Sequence, residues 1–124
     1  MMRKGANMER ELLKKFLEIG WGATRVAGSG KTKNAPDIIA GRPRQLLIIE
    51  CKSSKKDVIY LKKEEVLNVI SYAAKFGGEP WYGVRFNNHP WRFIPAHELI
   101  ENPKIVKGQG IDFQMLTLKD RKTI

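Results

Sequence analysis

Apolar residues recur along the first twenty positions at helical spacing, with Leu12, Leu13, Phe16 and Leu17 on one arc, which predicts a helix capped by Asn7, running to about Ile19 and stopped by Gly20. Beyond it the period changes. Ala23 to Ala27 reads as a strand, and Ile38-Ile39-Ala40 and Leu47-Ile48-Ile49 are short apolar runs of the kind buried strands show. Gly41-Arg42-Pro43-Arg44 between those runs supplies the turn of a hairpin. Leu61 to Phe76 returns to the helical period, with Leu67, Ile70, Ala73 and Ala74 inward and Gly77-Gly78 as its stop. Trp81 to Phe86 and Trp91 to Ile94 follow as two strands around the turn Asn87-Asn88-His89-Pro90, and Ile111 to Leu118 alternates well enough for a last edge strand. The order is helix, three strands, helix, two strands and tail. It predicts an α/β fold, a mixed central sheet flanked by helices, and 124 residues suit a single domain from 1 to 124.

Three charges break the apolar pattern where it is densest. They are Asp37, Glu50 and Lys52, in Pro36-Asp37-Ile38-Ile39-Ala40 and Leu47-Ile48-Ile49-Glu50-Cys51-Lys52. If the chain reverses near Pro43, positions summing to about 87 pair across the hairpin, which opposes Asp37 to Glu50. Lys52 follows on the face of Glu50, because strand side chains alternate. Opposed carboxylates roughly 5 Å apart repel by about 3 kcal/mol at an effective dielectric near 20, so a positive group must compensate. Lys52 does so in part, and two convergent carboxylates also make an oxygen site for a hard divalent cation such as Mg²⁺, with Mn²⁺ as a substitute. The plainer reading is a hairpin with a cross-strand salt bridge. Glu9 sharpens the choice, since it falls inside the apolar arc of the first helix and either finds a cation, a donor or the rim of a cleft or, at an edge of the arc, escapes to solvent or pairs with Arg10 or Arg3.

Charge then narrows the partner. Lys and Arg outnumber Asp and Glu by 23 to 13, a net +10 spread along the whole chain, and nucleic acid is the polyanion this balance suits best. No apolar run reaches the ~18 residues of a membrane span, and no secretory signal is visible, so the expectation is no membrane and a cytoplasmic, nucleoid-associated protein. Cys51 is the only cysteine, which excludes an intrachain disulfide and a cysteine-built zinc site. Gly30-Lys31-Thr32 suggests a phosphate-cradling loop but fails, because the glycine required five residues earlier is Arg25 and a strand, not a helix, follows. The segment Gly28 to Ala35 reads instead as a basic flap whose Lys31 and Lys33 touch DNA phosphates, or equally as a solvated surface loop. Lys55 and Lys56 extend the basic surface after Lys52, and Arg85 and Arg92 are further phosphate candidates. Tyr72 and Phe76, four apart on one helix, stack on one face and serve core packing, a dimer contact or base stacking. His89 and His97 lack a histidine partner at ligand spacing and read as structural.

Phosphodiester hydrolysis needs an activated water, a stabilised negative transition state and a neutralised leaving group, all of which metal ions can supply. Asp37 and Glu50, with the backbone carbonyl of Cys51, would anchor the ion, Glu9 would hold a second ion or a coordinated water, and Lys52 would orient water or offset charge.

Arg3-Lys4-Gly5-Ala6-Asn7-Met8-Glu9-Arg10-Glu11-Leu12, then Arg25, Gly28-Ser29, Asp37, Glu50-x-Lys52 and Phe76-Gly77-Gly78, resembles the archaeal Holliday junction resolvases, small members of the PD-(D/E)xK nuclease superfamily. The resemblance spans residues 3 to about 94. It implies a restriction-endonuclease-like fold and a homodimer that nicks opposed strands of four-way junction DNA with Mg²⁺. It also implies Glu9, Asp37, Glu50 and Lys52 as active-site residues, Ser29 as a catalytic contributor from a mobile loop, and Arg10 and Arg25 as DNA contacts, to which the basic Arg3 and Lys4 are added as DNA-binding candidates. Tyr72 and Phe76 fall at aromatic positions linked to dimerisation or junction binding. Cys51 stands where an aliphatic residue is commoner, which is harmless if only its carbonyl is used. Two other readings compete: a nuclease of the same superfamily acting on linear or damaged DNA, and a non-catalytic basic DNA-binding module.

Overall fold

The computed structural model describes residues 2–26 and 35–118, with side chains from position 7 onward. Helix α1 runs over Met2–Glu18 and strand β1 over Gly22–Arg25. Strands β2, Ile38–Arg42, and β3, Gln45–Ser54, form the expected hairpin. A short strand β4, Val58–Tyr60, leads to helix α2, Lys63–Phe76, and then to β5, Glu79–Phe86, and β6, Arg92–Pro95. A 3₁₀ turn Ala96–Leu99, strand β7, Lys104–Val106, and helix α3, Phe113–Leu116, complete the order. The main sheet is ordered β1-β2-β3-β5-β6; β3 and β5 are parallel and the other neighbours antiparallel. That is the mixed sheet expected, with α2 as the crossover between the parallel pair.

The sheet is packed on both faces, and alternation along β3 decides which residues go where. Leu47, Ile49 and Cys51 join Leu12 and Phe16 of α1, Trp81, Phe93 and Leu116 in one core. Tyr82, Val84, Phe86 and Ile94 join Val66 and Val69 of α2, with Leu99 and Ile105, in the other. Both cores are continuous apolar clusters at the strand and helix periods, so burial of these side chains is what fixes the strand register.

The helices depart from expectation in instructive ways. α1 starts five residues before Asn7, because nothing from Met2 to Ala6 except Gly5 opposes a helix; the Asn7 carboxamide accepts from Arg10 Nη1 at 3.5 Å instead of capping. Leu17 is 51% exposed, since the buried stripe runs through Leu12 and Phe16 with Met8 packed against it. On α2 the buried residues are Val66, Val69 and Ala73, whereas Leu67 is 44% exposed and Ala74 is also outside. Both stripes of α2 are apolar in sequence, and packing on β5 selects the β-branched one. Leu61 precedes the helix and is buried, its N–H donating to the Pro103 carbonyl at 2.9 Å.

Phe76-Gly77-Gly78 has a local cause. Gly77 closes α2 at φ 76°, the left-handed conformation glycine adopts without a Cβ penalty, and a Cβ on Gly78 would stand 3.0 Å from Ile48 Cγ1 and 3.1 Å from the Leu46 carbonyl oxygen. The helix end is thereby drawn close against β3.

The tail is a helix rather than an edge strand. Only Ile111 pairs, exchanging two backbone hydrogen bonds with Phe93. The Asp112 carboxylate then accepts from Met115 N–H at 2.8 Å and starts α3, whose Leu116 is fully buried. The β4–β7 ribbon was not expected at all; three residues a side carry too little pattern to read. No helix of the described residues is long and apolar enough to cross a membrane.

Candidate active site

The β2–β3 hairpin carries the site. Its pairs run from Ile38↔Ile49 to Arg42↔Gln45, the register anticipated from Pro43, with Arg44 taking the positive φ of 69° that a two-residue turn with proline first demands. Asp37 stands one residue before β2, yet its backbone continues both ladders: its N–H donates to the Ile49 carbonyl at 3.1 Å and its carbonyl accepts from Val26 N–H at 3.0 Å. This places its carboxylate beside β3, where Oδ2 accepts from the Cys51 N–H at 2.8 Å. The Cys51 side chain turns into the core, so its backbone faces the site as expected.

Glu50 and Lys52 point to the opposite face of β3 from Cys51, toward α2. There the Lys52 ammonium meets Glu65 Oε2 of α2 at 2.7 Å, and the hydroxyl of buried Tyr82, the β5 partner of Glu50, reaches the same oxygen at 3.4 Å. Glu65 was not singled out from sequence, because an acidic residue in the first turn of a helix is ordinary there. Burial chiefly, and then the Asp37 carboxylate, push Glu50 up from 4.5 to about 8; Lys52 works in the opposite direction, and Glu65 and Glu9 add smaller repulsions. The Cys51 thiol is pushed up by burial first and then by the Asp37, Glu9 and Glu50 carboxylates, which makes it an unreactive core group.

Glu9 is inward, as its helical position required, but its partner is Arg25 of β1, Nε to Oε1 at 2.9 Å. Arg25 lies across from Ile38 on the α1 side of the sheet, whereas Glu50 and Lys52 lie on the α2 side. Glu9 is nevertheless near enough to raise the Glu50 carboxyl, while its own oxygen is held by Arg25. Among the described residues no three His, Cys, Asp or Glu side chains lie close enough together to share a metal ion. What is brought together is Asp37, Glu50, the Cys51 backbone and Lys52. The oxygens of Asp37, Glu50 and the Cys51 backbone, with the half-buried Glu50 carboxyl raised to about 8 by desolvation and by Asp37, make a donor set that fits a hard divalent ion.

The basic candidates divide. Arg10, Lys55 and Lys56 are exposed, Arg25 is engaged by Glu9, and the side chains of Arg3 and Lys4 as well as Ser29, Lys31 and Lys33 lie outside the described residues. Arg85 pairs with Glu11 and donates to the His89 carbonyl at 2.8 Å, and Arg92 donates to the carbonyls of Gln109 and Gly110, so both arginines tie the fold together. A groove of about 480 Å³ opens between Met8 of α1 and the ends of β3 and β5, lined by Ser53, Ser54, Lys55, Arg85 and Asn87 among others. Tyr72 and Phe76 stack at 5.3 Å between centroids, and Phe76 is 49% exposed.

This arrangement has known relatives. The family model described as archaeal Holliday junction resolvase matches residues 1–124. The chain belongs to that family. Its match runs past residue 94, so the tail with α3 is part of the family domain as well. The crossover junction endodeoxyribonuclease Hjc of Archaeoglobus fulgidus is 38% identical over 108 residues, 86% of this chain and 79% of that protein. The Hjc of Methanocaldococcus jannaschii is 41% identical over 117 residues, 90% of this chain and 84% of its own length. The solved structure of A. fulgidus Hjc, a Holliday junction resolvase, superposes with a TM-score of 0.77 at 35% identity, covering 86% of this chain and 93% of that one. A bacterial homing endonuclease, I-Ssp6803I, shares the fold alone, with a TM-score of 0.60 at 13% identity. The restriction-endonuclease-like α/β fold anticipated for this resolvase-family chain is thus the one it adopts.

Proposed function

We propose that the chain is a structure-selective endonuclease that resolves four-way DNA junctions by Mg²⁺-dependent phosphodiester hydrolysis, nicking paired strands as a homodimer in recombination and repair. The observation that carries this reading is the convergence of Asp37, Glu50, the Cys51 backbone and Lys52 on one hairpin of a resolvase-family fold. Asp37 and Glu50, with the Cys51 carbonyl, would hold the ion. When bound, the ion acidifies a water and offsets charge on the scissile phosphate. Lys52 supplies a fixed positive charge to the phosphate oxygens as negative charge develops there. Glu9 joins the site only if Arg25 exchanges it for a DNA phosphate, which charge-assisted pairing with phosphate favours. The net charge of +10 supplies affinity for the backbone, so junction binding should weaken steeply with salt.

A labelled four-way junction and a linear duplex of the same sequence, each incubated with wild-type protein and Mg²⁺, test the proposal. Paired nicks in the junction with little cutting of the duplex are expected. Equal cutting of both would favour the reading as a nuclease of linear or damaged DNA, and binding without cutting would favour a non-catalytic module.

Dimerisation has its own support in the half-exposed Phe76, stacked on Tyr72 at the end of α2. A two-fold dimer presents two equivalent sites to a symmetric junction. Phe76→Ala is expected to shift the protein toward monomer in sedimentation velocity and to uncouple the two nicks. A wild type that sediments as a monomer at micromolar concentration would remove the dimer from the proposal.

A further inference from the structure

The Lys52 side chain is held by a residue that belongs to neither the hairpin nor the carboxylate pair. Glu65 sits in the first turn of α2, where a carboxylate is favoured by the unpaired helix N–H groups, and no side chain caps that end. It is one residue before Val66 and four before Val69, both buried against β5, so the backbone beneath it is fixed by the core. Its Oε2 lies 2.7 Å from Lys52 Nζ and accepts from the buried Tyr82 hydroxyl at 3.4 Å. Side-chain exposures of 31% for Lys52 and 28% for Glu65 leave the pair half-buried, so the ion pair and its packing, rather than exclusion of water, restrict the lysine's rotamers. Glu64, its neighbour, points to solvent.

We propose that Glu65 is a positioning residue for Lys52: anchored by α2 and by Tyr82, it holds the ammonium on the Glu50 face of β3, at the place where the scissile phosphate must meet it. The inference rests on the nuclease reading above. An untethered lysine has four rotatable bonds to order in the transition state; the ion pair orders them beforehand, and preorganised charge is what stabilises developing phosphate charge. Glu65 touches neither phosphate nor metal ion in this role, so its removal should lower turnover while leaving DNA affinity alone.

The test uses Glu65→Gln, which keeps length and the Tyr82 hydrogen bond but loses the charge, together with Glu65→Ala, each made alone and on Lys52→Ala. Glu64→Gln is the control. Either Glu65 change is expected to lower single-turnover cleavage of the junction by about 10–100-fold, the usual scale for a residue that orients a catalytic group, with junction Kd unchanged. On the Lys52→Ala background the same change should cost nothing further, because a residue acting through Lys52 has nothing left to orient. Full multiplication of the two losses would overturn the proposal, as would wild-type cleavage by Glu65→Gln. A second measurement needs no cleavage: the Lys52 ammonium resonance, visible in ¹H–¹⁵N spectra when its exchange is slowed by an ion pair, is expected in wild type and absent in Glu65→Gln. Its persistence in Glu65→Gln sinks the inference. Because that readout is independent of hydrolysis, it separates failure here from failure of the nuclease reading.

Discussion

Lys52→Ala is expected to lower junction cleavage by about 10³-fold while binding is nearly unchanged, the scale seen when one preorganised electrostatic donor is removed from an active site. The asymmetry follows from where charge sits. In the ground state the DNA backbone is met by many cations among the 23 lysines and arginines, and the loss of one weakens binding and its salt dependence only slightly. During hydrolysis, however, charge develops on one phosphate, and Lys52 is the cation fixed beside Glu50 on that face of β3. Its removal also leaves the Glu65 carboxylate beside Tyr82 without its cation, a local cost to stability that thermal melts would register separately. Single-turnover cleavage and mobility-shift titration, run on the same junction at one salt concentration, check the split. Lost binding with proportionally lost cleavage would make Lys52 a DNA contact and not a catalytic group.

The hairpin and its charges were legible in the sequence because three independent signals agree there. The apolar runs fix two buried strands, Pro43 fixes their centre, and period-two alternation then places Glu50 with Lys52 and turns Cys51 inward. The surroundings were less legible for reasons that are also physical. The partner of Glu9 is Arg25, sixteen residues away on another element, and side chains that meet only through tertiary packing leave no periodic trace. Glu65 depended on the rotation of α2. With Leu67 and Ala74 inward beside Ile70 and Ala73, as the sequence suggested, Glu65 would turn away from β3; Ala73 is buried and Ile70 half-buried, but Val66 and Val69 replace Leu67 and Ala74, and Glu65 then stands in line with Val69 above Lys52. Two apolar stripes on one helix gave no basis for choosing, and the choice decides whether the lysine has a partner. The tail misled through its alternation, which was real for Ile111 and overruled by the capping carboxylate of Asp112.

Glu50→Gln should abolish function and stabilise the metal-free fold, two effects from one cause. Burial, with Asp37 close by, raises the Glu50 carboxyl from 4.5 to about 8, while Glu65 and Glu9 repel it further and Lys52 attracts it. A carboxyl raised on folding costs nothing at pH values below its unfolded pKa, where both states are protonated. The penalty grows as pH rises from about 4.5 through about 8, because the unfolded chain ionises freely and the folded one does not. In chelator, wild-type stability should therefore fall across that window and the glutamine variant should not follow it. The gap at pH 8 is expected to be about 1–3 kcal/mol in favour of the variant, below the full value of the shift because Glu50 keeps some contact with solvent. Urea midpoints across the window measure it. Mg²⁺ reverses the order: the ion binds the folded wild type and stabilises it by mass action, whereas the variant has lost an anionic ligand and should respond weakly. Cleavage should fall by more than about 10²-fold, since a neutral amide cannot replace the carboxylate that holds the ion and several kcal/mol of charge stabilisation go with it. A variant less stable than chelated wild type at pH 8 would show that Glu50 is satisfied without a cation, and the case for a metal on this hairpin would fall with it.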